Sequence, residues 1–406
     1  MIVLALCLAS SYVLAVRFLR YRRVNGIASK FSQDELAKMT PWTAQQIVFQ
    51  SFRYDTPMMM LLGTQVALFK VYGISSVASV LLQTGELKTP DTINKRLADT
   101  STLIATFLSN PLVGPGYETP SDDPRAAIAL ARVNYLHRKY RIHNDDFLYN
   151  LALFMLEPIR WTARFDWRPH SPIEVQAIFE LWTEVGRRMD IQHIWSSYRE
   201  MEEWVEIYEE TNMVPSDASA ELAHTAINYF LARIKIKSLR PMVFQMMLTL
   251  LDSRTRKAMN LPDPSPISSS VILSLFKIRA LIVQHLCLPR RKPSLWVQLD
   301  NSFRVDEHGM PRMSAVYQRR SGPFYYPEKT GLDLRIQNIL VRLGLKKAEK
   351  MPGKKWLSEG YRLEELGPVR FRKEGHELVF REAAKLQGCP ITGPWAPVSS
   401  LGSVEK

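Results

Sequence analysis

The chain has 406 residues, 46% of them hydrophobic, which is enough apolar side chain to bury a large core as one domain or two. Its formal net charge of +13 invites a nucleic-acid reading. The sequence holds no paired CxxC motifs, no aromatic run of an RNA-binding module and no glycine-rich phosphate loop, so nucleic acid is not an expected partner. Three scattered cysteines, Cys7, Cys287 and Cys389, offer neither a disulfide framework nor a structural zinc site, and they fit a reducing compartment.

Residues 1–16 carry no charge, and Arg17, Arg20, Arg22 and Arg23 follow almost at once. A cleavable signal peptide would carry its basic residues before the apolar run, not after it. A positive flank on the carboxyl side predicts that this flank stays cytosolic, with the short N-terminus across the membrane. The run is short for a span, which needs roughly 17–25 residues, but Phe18, Leu19 and snorkelling arginines extend it. Residues 1–23 are therefore expected to form a membrane anchor with a basic flank, an interfacial helix being the alternative. Further basic clusters at Arg290, Arg291 and Lys292 and from Lys346 to Lys355 lie beside apolar stretches or in a polar tail, which points to anionic headgroups as their partner.

The rest reads as helix after helix, with no period-two strand series and no internal repeat. The fold class expected is all-α. In "TPDTINKRLADTSTLIATFLSNP" a helical stripe runs through Ile93, Leu97, Thr100, Ile104 and Phe107 and is closed by Pro111. "SDDPRAAIALARVNYLHRKY" opens on acidic residues and Pro124, as a first helical turn does. Asn144 and Asp145 start the next helix, whose run Phe147–Leu156 is nearly all apolar and so predicts burial. "SPIEVQAIFELWTEVGRRM" carries a capping box, with Ser171 as cap, Pro172 at the first helical position and Glu174 reaching back.

Further helices are expected over 197–211, 217–236, 240–259 and 268–287. Lys277, Arg279, Gln284 and His285 argue against a second membrane span in the last of these, because charge at mid-bilayer is expensive. A buried or membrane-surface helix is expected there instead. Beyond about residue 290 proline, glycine and lysine rise and helical periodicity weakens. Residues 296–406 are expected to be a basic, less regular, peripheral extension, disordered over the last dozen residues.

Candidate chemistry is sparse. The pairs Asp122–Asp123 and Asp145–Asp146 suggest a terpene-synthase type of magnesium site, which needs carboxylates a helical turn apart. The turn-mate of the second pair is Tyr149, and both pairs fall where a helix starts and its dipole favours acids, so the structural reading wins. No nucleophile elbow, zinc-protease motif or His-x3-His pair occurs. His137 lies on the apolar face of its helix with Val133, Leu130 and Ala126. It is either a core histidine satisfied by a hydrogen bond or a ligand to haem or a metal. Arg96 and Thr100 are an i, i+4 pair pointing into the apolar stripe, costly there unless they meet something polar. The bland alternative is an Arg96–Asp99 ion pair, with Thr100 bonded back to its own helix.

"NKRLADTSTLIA", "ARVNYLHRKY" and "DDFLYNLALFMLEPIRWTARFDWRPHSPIEVQAIFELWTEVGRRMDI" resemble the catalytic domain shared by fungal ER-bound MpaB-type oxygenases and bacterial rubber oxygenases (latex-clearing proteins). The resemblance covers roughly residues 45–295, in three motifs in order at similar separations, and the apolar N-terminus is similar to the fungal branch too. It implies a single large globin-like helical domain over 40–295 that holds a b-type haem, with His137 as the iron ligand. The family's Arg-x3-Thr pattern falls on Arg96 and Thr100. Asp99 stands where rubber oxygenases can carry a lysine, and Glu86 lies roughly where they place a carboxylate base. Arg132, five residues before His137 and off its face, is expected to anchor a haem propionate or a neighbouring acid.

The activity implied is cleavage of a carbon–carbon double bond by dioxygen, in polyisoprene for the bacterial branch and in prenyl side chains of lipophilic secondary metabolites for the fungal one. The location implied is the endoplasmic reticulum membrane, with the catalytic domain cytosolic. A haem-dependent hydroxylase or peroxidase is the nearest rival, and a non-catalytic membrane-anchored scaffold is the rival of a different class.

Overall fold

The computed structural model describes residues 1–30, 38–112, 114, 123–306, 310–316 and 322–396. Asp122 and the final ten residues of the expected disordered tail lie outside them. The described residues are all-α in character. Helices α1 (Ile2–Ala28), α2 (Pro41–Gln50), α3 (Pro57–Lys70) and α4 (Ser75–Thr84) come first, followed by α5 (Pro90–Ser109) and α6 (Arg125–His137). Next come α7 (Asn144–Phe165), α8 (Pro172–Arg188), α9 (Tyr198–Asn212), α10 (Asp217–Ala232), α11 (Arg240–Leu250), α12 (Ser253–Ala258) and α13 (Pro266–Leu286). The chain ends with α14 (Gly331–Arg342) and α15 (His376–Gln387). Among the described residues the only paired strands are two short ones, Arg304–Val305 and Pro311–Arg312, running antiparallel.

The helix starts follow local chemistry. Thr89 caps α5 and Thr92 returns the bond, with Pro90 at the first turn. Ser171 and Glu174 form the expected reciprocal box on α8. The chain divides into two compact units, residues 1–88 with 141–294 and residues 89–140 with 295–406.

In the first unit α7 is the buried centre, with Leu148, Tyr149 and Leu151–Leu156 all inside. Helix α3 packs along α7, and Gly63 makes the close approach possible, because a Cβ there would stand 2.6 Å from Pro158 Cα. The α8 helix packs on α2, and α1 lies against α13. Helix α1 is long and apolar enough to cross a membrane, and so by length and composition is α13. Only Ile272 of α13 is buried, so the buried-helix reading of that segment does not hold.

In the second unit α5 and α6 pack side by side, and α15 packs against α6. Residues 295–406, expected as a peripheral extension, thus share a unit with residues 89–140 instead of trailing a single 40–295 domain. The reason is chemical as well as steric. Arg132 is fully buried, and its guanidinium donates to the carbonyls of Leu366 (2.7 Å), Phe371 (2.7 Å) and Glu374 (2.9 Å). Asn134 (2.6 Å) and Arg138 (2.9 Å) both donate to Oε1 of Glu382 on α15. A Cβ on Gly367 would come within 2.7 Å of Leu136, so the backbone there lies directly on α6, with a positive φ that glycine tolerates.

Candidate functional site

Helix α5 presents two chemically different faces. Lys95 and Asp99, one turn apart, are buried. The Asp99 carboxylate accepts from Lys95 Nζ (2.6 Å), the Tyr325 hydroxyl (2.7 Å) and the Gly367 amide (3.1 Å). Burial pushes its pKa up, against the pull of Lys95, Tyr325 and Gly367. Lys95 also donates to the Gly367 carbonyl at 2.8 Å. Each group is saturated, and together they fasten α5 to residues 325 and 367.

The other face carries Arg96, Thr100 and Ile104, spaced by four and each half-buried. Among the described residues neither Arg96 nor Thr100 is seen in a side-chain hydrogen bond or ion pair. The bland alternative for the pair is therefore not realised, because Asp99 is taken by Lys95 and not by Arg96. An unpaired guanidinium beside apolar side chains is costly unless it meets a polar group that is not part of the chain.

His137 is the last residue of α6 and is half-buried. A helix carboxyl terminus favours a charged imidazole by about 0.3–1 kcal/mol. Here burial, joined by the nearby Arg96 guanidinium, outweighs that and lowers its pKa to about 4. The imidazole is neutral at physiological pH, which is the form a metal takes as ligand. The structure thus brings His137 within electrostatic reach of Arg96, with Thr100 one turn further along α5.

Two of the residues expected at the site are committed elsewhere. Asp99, expected in catalysis, is used in the brace just described. Arg132, expected to hold a propionate or a neighbouring acid, spends its donors on three backbone carbonyls of residues 366–374, and burial lowers its pKa to about 10. Both are structural: they hold the helices that carry Arg96 and His137. Glu86 belongs to the other unit, in the turn after α4, where its amide donates to Thr84 Oγ1 at 3.2 Å.

The aspartate pair at the start of α7 is not a magnesium site. Asp146 accepts from Ser76 (2.8 Å) and Tyr208 (2.7 Å), Asp145 is exposed, and no cluster of three metal-ligating side chains occurs among the described residues.

His170 is not among the candidate residues read from the sequence. It is 8% exposed, and both ring nitrogens are sealed from solvent without a hydrogen-bond partner. Burial lowers its pKa to about 4, with Glu174 pulling up and Arg168 pushing down. The available signal was its place just before a capping box, where the chain must turn inward for Glu174 to be buried.

The catalytic domain of the family described as "ER-bound oxygenase mpaB/B'/Rubber oxygenase" matches residues 53–280, which include α5, α6 and the Arg96, Thr100 and His137 positions. The chain is 29% identical over 401 residues to ER-bound oxygenase mpaB' of Penicillium brevicompactum, covering 91% of this chain and 88% of that protein. It is 33% identical over 274 residues to ER-bound oxygenase mpaB of Penicillium roqueforti (strain FM164), covering 63% of this chain and 89% of the relative. A third relative, ER-bound oxygenase mpaB of Penicillium brevicompactum, is 30% identical over 298 residues. With an all-α fold, an apolar N-terminal helix and a match across both helices of the site, the chain belongs to the ER-bound oxygenase mpaB/B' and rubber oxygenase family.

Proposed function

We propose that this protein is a haem-b oxygenase that uses dioxygen to cleave a carbon–carbon double bond in the prenyl side chain of a lipophilic secondary metabolite. It works at the endoplasmic reticulum membrane, held by α1, with its catalytic part on the cytosolic side. The observation that carries the reading is the half-buried neutral His137 beside an arginine and a threonine that have no side-chain partner among the described residues.

These residues fit the cofactor. A haem brings an iron that takes a neutral imidazole and carboxylates that take a guanidinium, and His137 and Arg96 offer those two groups. When bound, the haem supplies the dioxygen chemistry, and the protein supplies ligation, orientation and exclusion of water. His137 would hold the iron through one ring nitrogen. Arg96 and Thr100 would donate hydrogen bonds to a propionate or to the oxygen. Ile104 on α5 and Val133 on α6, half-buried on the same two faces, offer apolar surface to an isoprenoid chain. The Lys95–Asp99–Tyr325 brace keeps α5 from rotating, so Arg96 keeps its aim.

Detergent-purified protein should show a Soret band that shifts on reduction with dithionite. His137→Ala should abolish it, and His170→Ala should leave it, because both His170 nitrogens are sealed in a buried side chain, whereas His137 is half-buried although its Nδ1 is sealed too. A colourless, folded protein sinks the haem reading and leaves the scaffold. A band lost in His170→Ala but kept in His137→Ala moves the ligand to the other histidine. Product analysis separates the chemistries: scission gives two carbonyl fragments, whereas hydroxylation keeps the carbon count.

A further inference from the structure

We infer that α13, extended by α11, is a second membrane-contacting surface that lies in the plane of a phospholipid bilayer beside the α1 anchor. The inference rests on the membrane reading of α1 and not on the haem.

The inward side of α13 is unambiguous. Phe276 packs on Phe165 with ring centroids 4.8 Å apart, and Leu273 joins the same cluster around Met59 and Trp161. Arg279 pairs with the buried Asp166 at 3.1 Å, and Gln284 donates to the Tyr21 hydroxyl at 3.2 Å. Two of the polar residues that argued against a second span are therefore turned toward the protein and satisfied.

The outward side is then the anomaly. Ile267, Val271, Leu275, Ile278, Ile282 and Leu286 form one helical stripe, each between 45% and 78% exposed. A helix resting on a water-soluble body places its polar stripe there. Helix α11 packs beside α13 and continues the patch with exposed Met242 and Met246. Exposed basic residues surround it: Lys277 at the edge of the stripe, Lys235 and Lys237 before α11, and Arg290, Arg291 and Lys292 after α13. An apolar face rimmed by cations is what an interfacial helix offers to anionic headgroups.

The occupant is named by continuity with α1. The Tyr12 hydroxyl donates to the Leu286 carbonyl (2.9 Å), and Arg20 donates to the carbonyls of Cys287 (2.6 Å) and Leu288 (3.3 Å). Arg23 donates to the Arg290 carbonyl at 3.3 Å. Part of the basic flank of the anchor is thus spent satisfying carbonyls at the end of α13 that the helix itself leaves open. The first eleven residues of α1 remain exposed throughout. Whatever lipid takes up those residues meets the outer face of α13 next. Because α13 is held to the protein body at Ser269 and Arg279, with its end against α1, its outer face is the one left to lipid, which makes the contact an in-plane one and not a span.

The test uses the full chain with Cys7, Cys287 and Cys389 replaced by serine, reconstituted in phosphatidylcholine–phosphatidylserine vesicles. Single spin labels are placed through Leu8→Cys, Met242→Cys, Val271→Cys, Ile278→Cys and Ile282→Cys, with circular dichroism in detergent checking each fold. Collision with oxygen should exceed collision with a water-soluble nickel chelate at every position. The labels at 271, 278 and 282 should share one shallow depth, roughly 5–10 Å below the headgroups.

Nickel-accessible α13 labels beside a lipid-exposed Leu8 label overturn the inference and leave the anchor standing. Depths that run from one headgroup plane to the other make α13 a span and overturn it as well, as does label–label broadening that reveals a second copy on this face. A Leu8 label in water removes the anchor reading, and the α13 labels then decide the surface on their own.

Discussion

Arg168 in the first unit and Arg96 in the second are both arginines set among apolar helices, and their surroundings differ in one respect that separates structure from function. The Arg168 side chain is 4% exposed and paired with two acids: it meets Glu174 at 2.7 and 2.8 Å and Asp55 at 2.9 Å. Those acids are held in turn by Ser51 and by Arg23. Burial alone would raise the Glu174 pKa, but the Arg168 hydrogen bonds and charge, with His170 and Ser51, bring it down to about 2. Arg96 has no such partner among the described residues, although its neighbour Lys95 on the same helix has several. A buried charge persists where the fold pairs it, so the fold accounts for Arg168, whereas Arg96 carries its charge half-buried and is the residue the proposed function assigns to a ligand.

The sharpest way to break this contrast is to remove each arginine. Arg168→Leu strands two carboxylates and should cost about 3–5 kcal/mol of stability. Arg96→Leu should move stability by no more than about 0.5 kcal/mol while haem content or turnover falls. Urea unfolding of both variants in detergent decides it, since equal destabilisation would make Arg96 an ordinary structural residue.

A finer comparison lies on one helix. Asp99→Asn keeps the shape of the brace but leaves Lys95 without its anion, at a cost of about 1–3 kcal/mol. The adjacent Thr100→Val should be nearly silent in stability and visible in the spectrum or in product formation. If Asp99→Asn changes turnover at unchanged stability, Asp99 returns to the chemistry from which its hydrogen bonds now exclude it.

Much of this was legible in the sequence wherever the signal is local. The caps at Thr89 and Ser171, the buried run of α7 and the Arg96–Thr100–His137 stripe all follow from periodicity and helix-end chemistry. Partners far along the chain were not. Nothing near Arg132 announces that its guanidinium will bind carbonyls at 366–374, so a propionate looked as good a partner. The same blindness touches α13, where Arg279 counts as a charge against a span until Asp166 is found beside it. His170 was missed because a residue just before a helix reads as loop, and only the packing of Glu174 shows that the loop is buried.

The smallest effect concerns the two histidines, which sharpen the same contrast. Both have pKa values held down to about 4 by burial, against about 6.5 in an unfolded chain. Between those values the unfolded state binds more protons than the folded one. Stability therefore falls as pH drops through that window and is fully restored above it. Going from pH 7 to pH 6 should cost about 0.7 kcal/mol for each histidine. His170→Gln should remove the share of the sealed residue, and the remaining slope should belong largely to His137. Haem should leave that remainder nearly unchanged, because with a pKa of about 4 the folded imidazole is already neutral at both pH values. Denaturant titrations at the two pH values, with and without haem, measure both shares. A slope that His170→Gln leaves unchanged would mean that its nitrogens are not sealed, and the distinction drawn between the two histidines would fail with it.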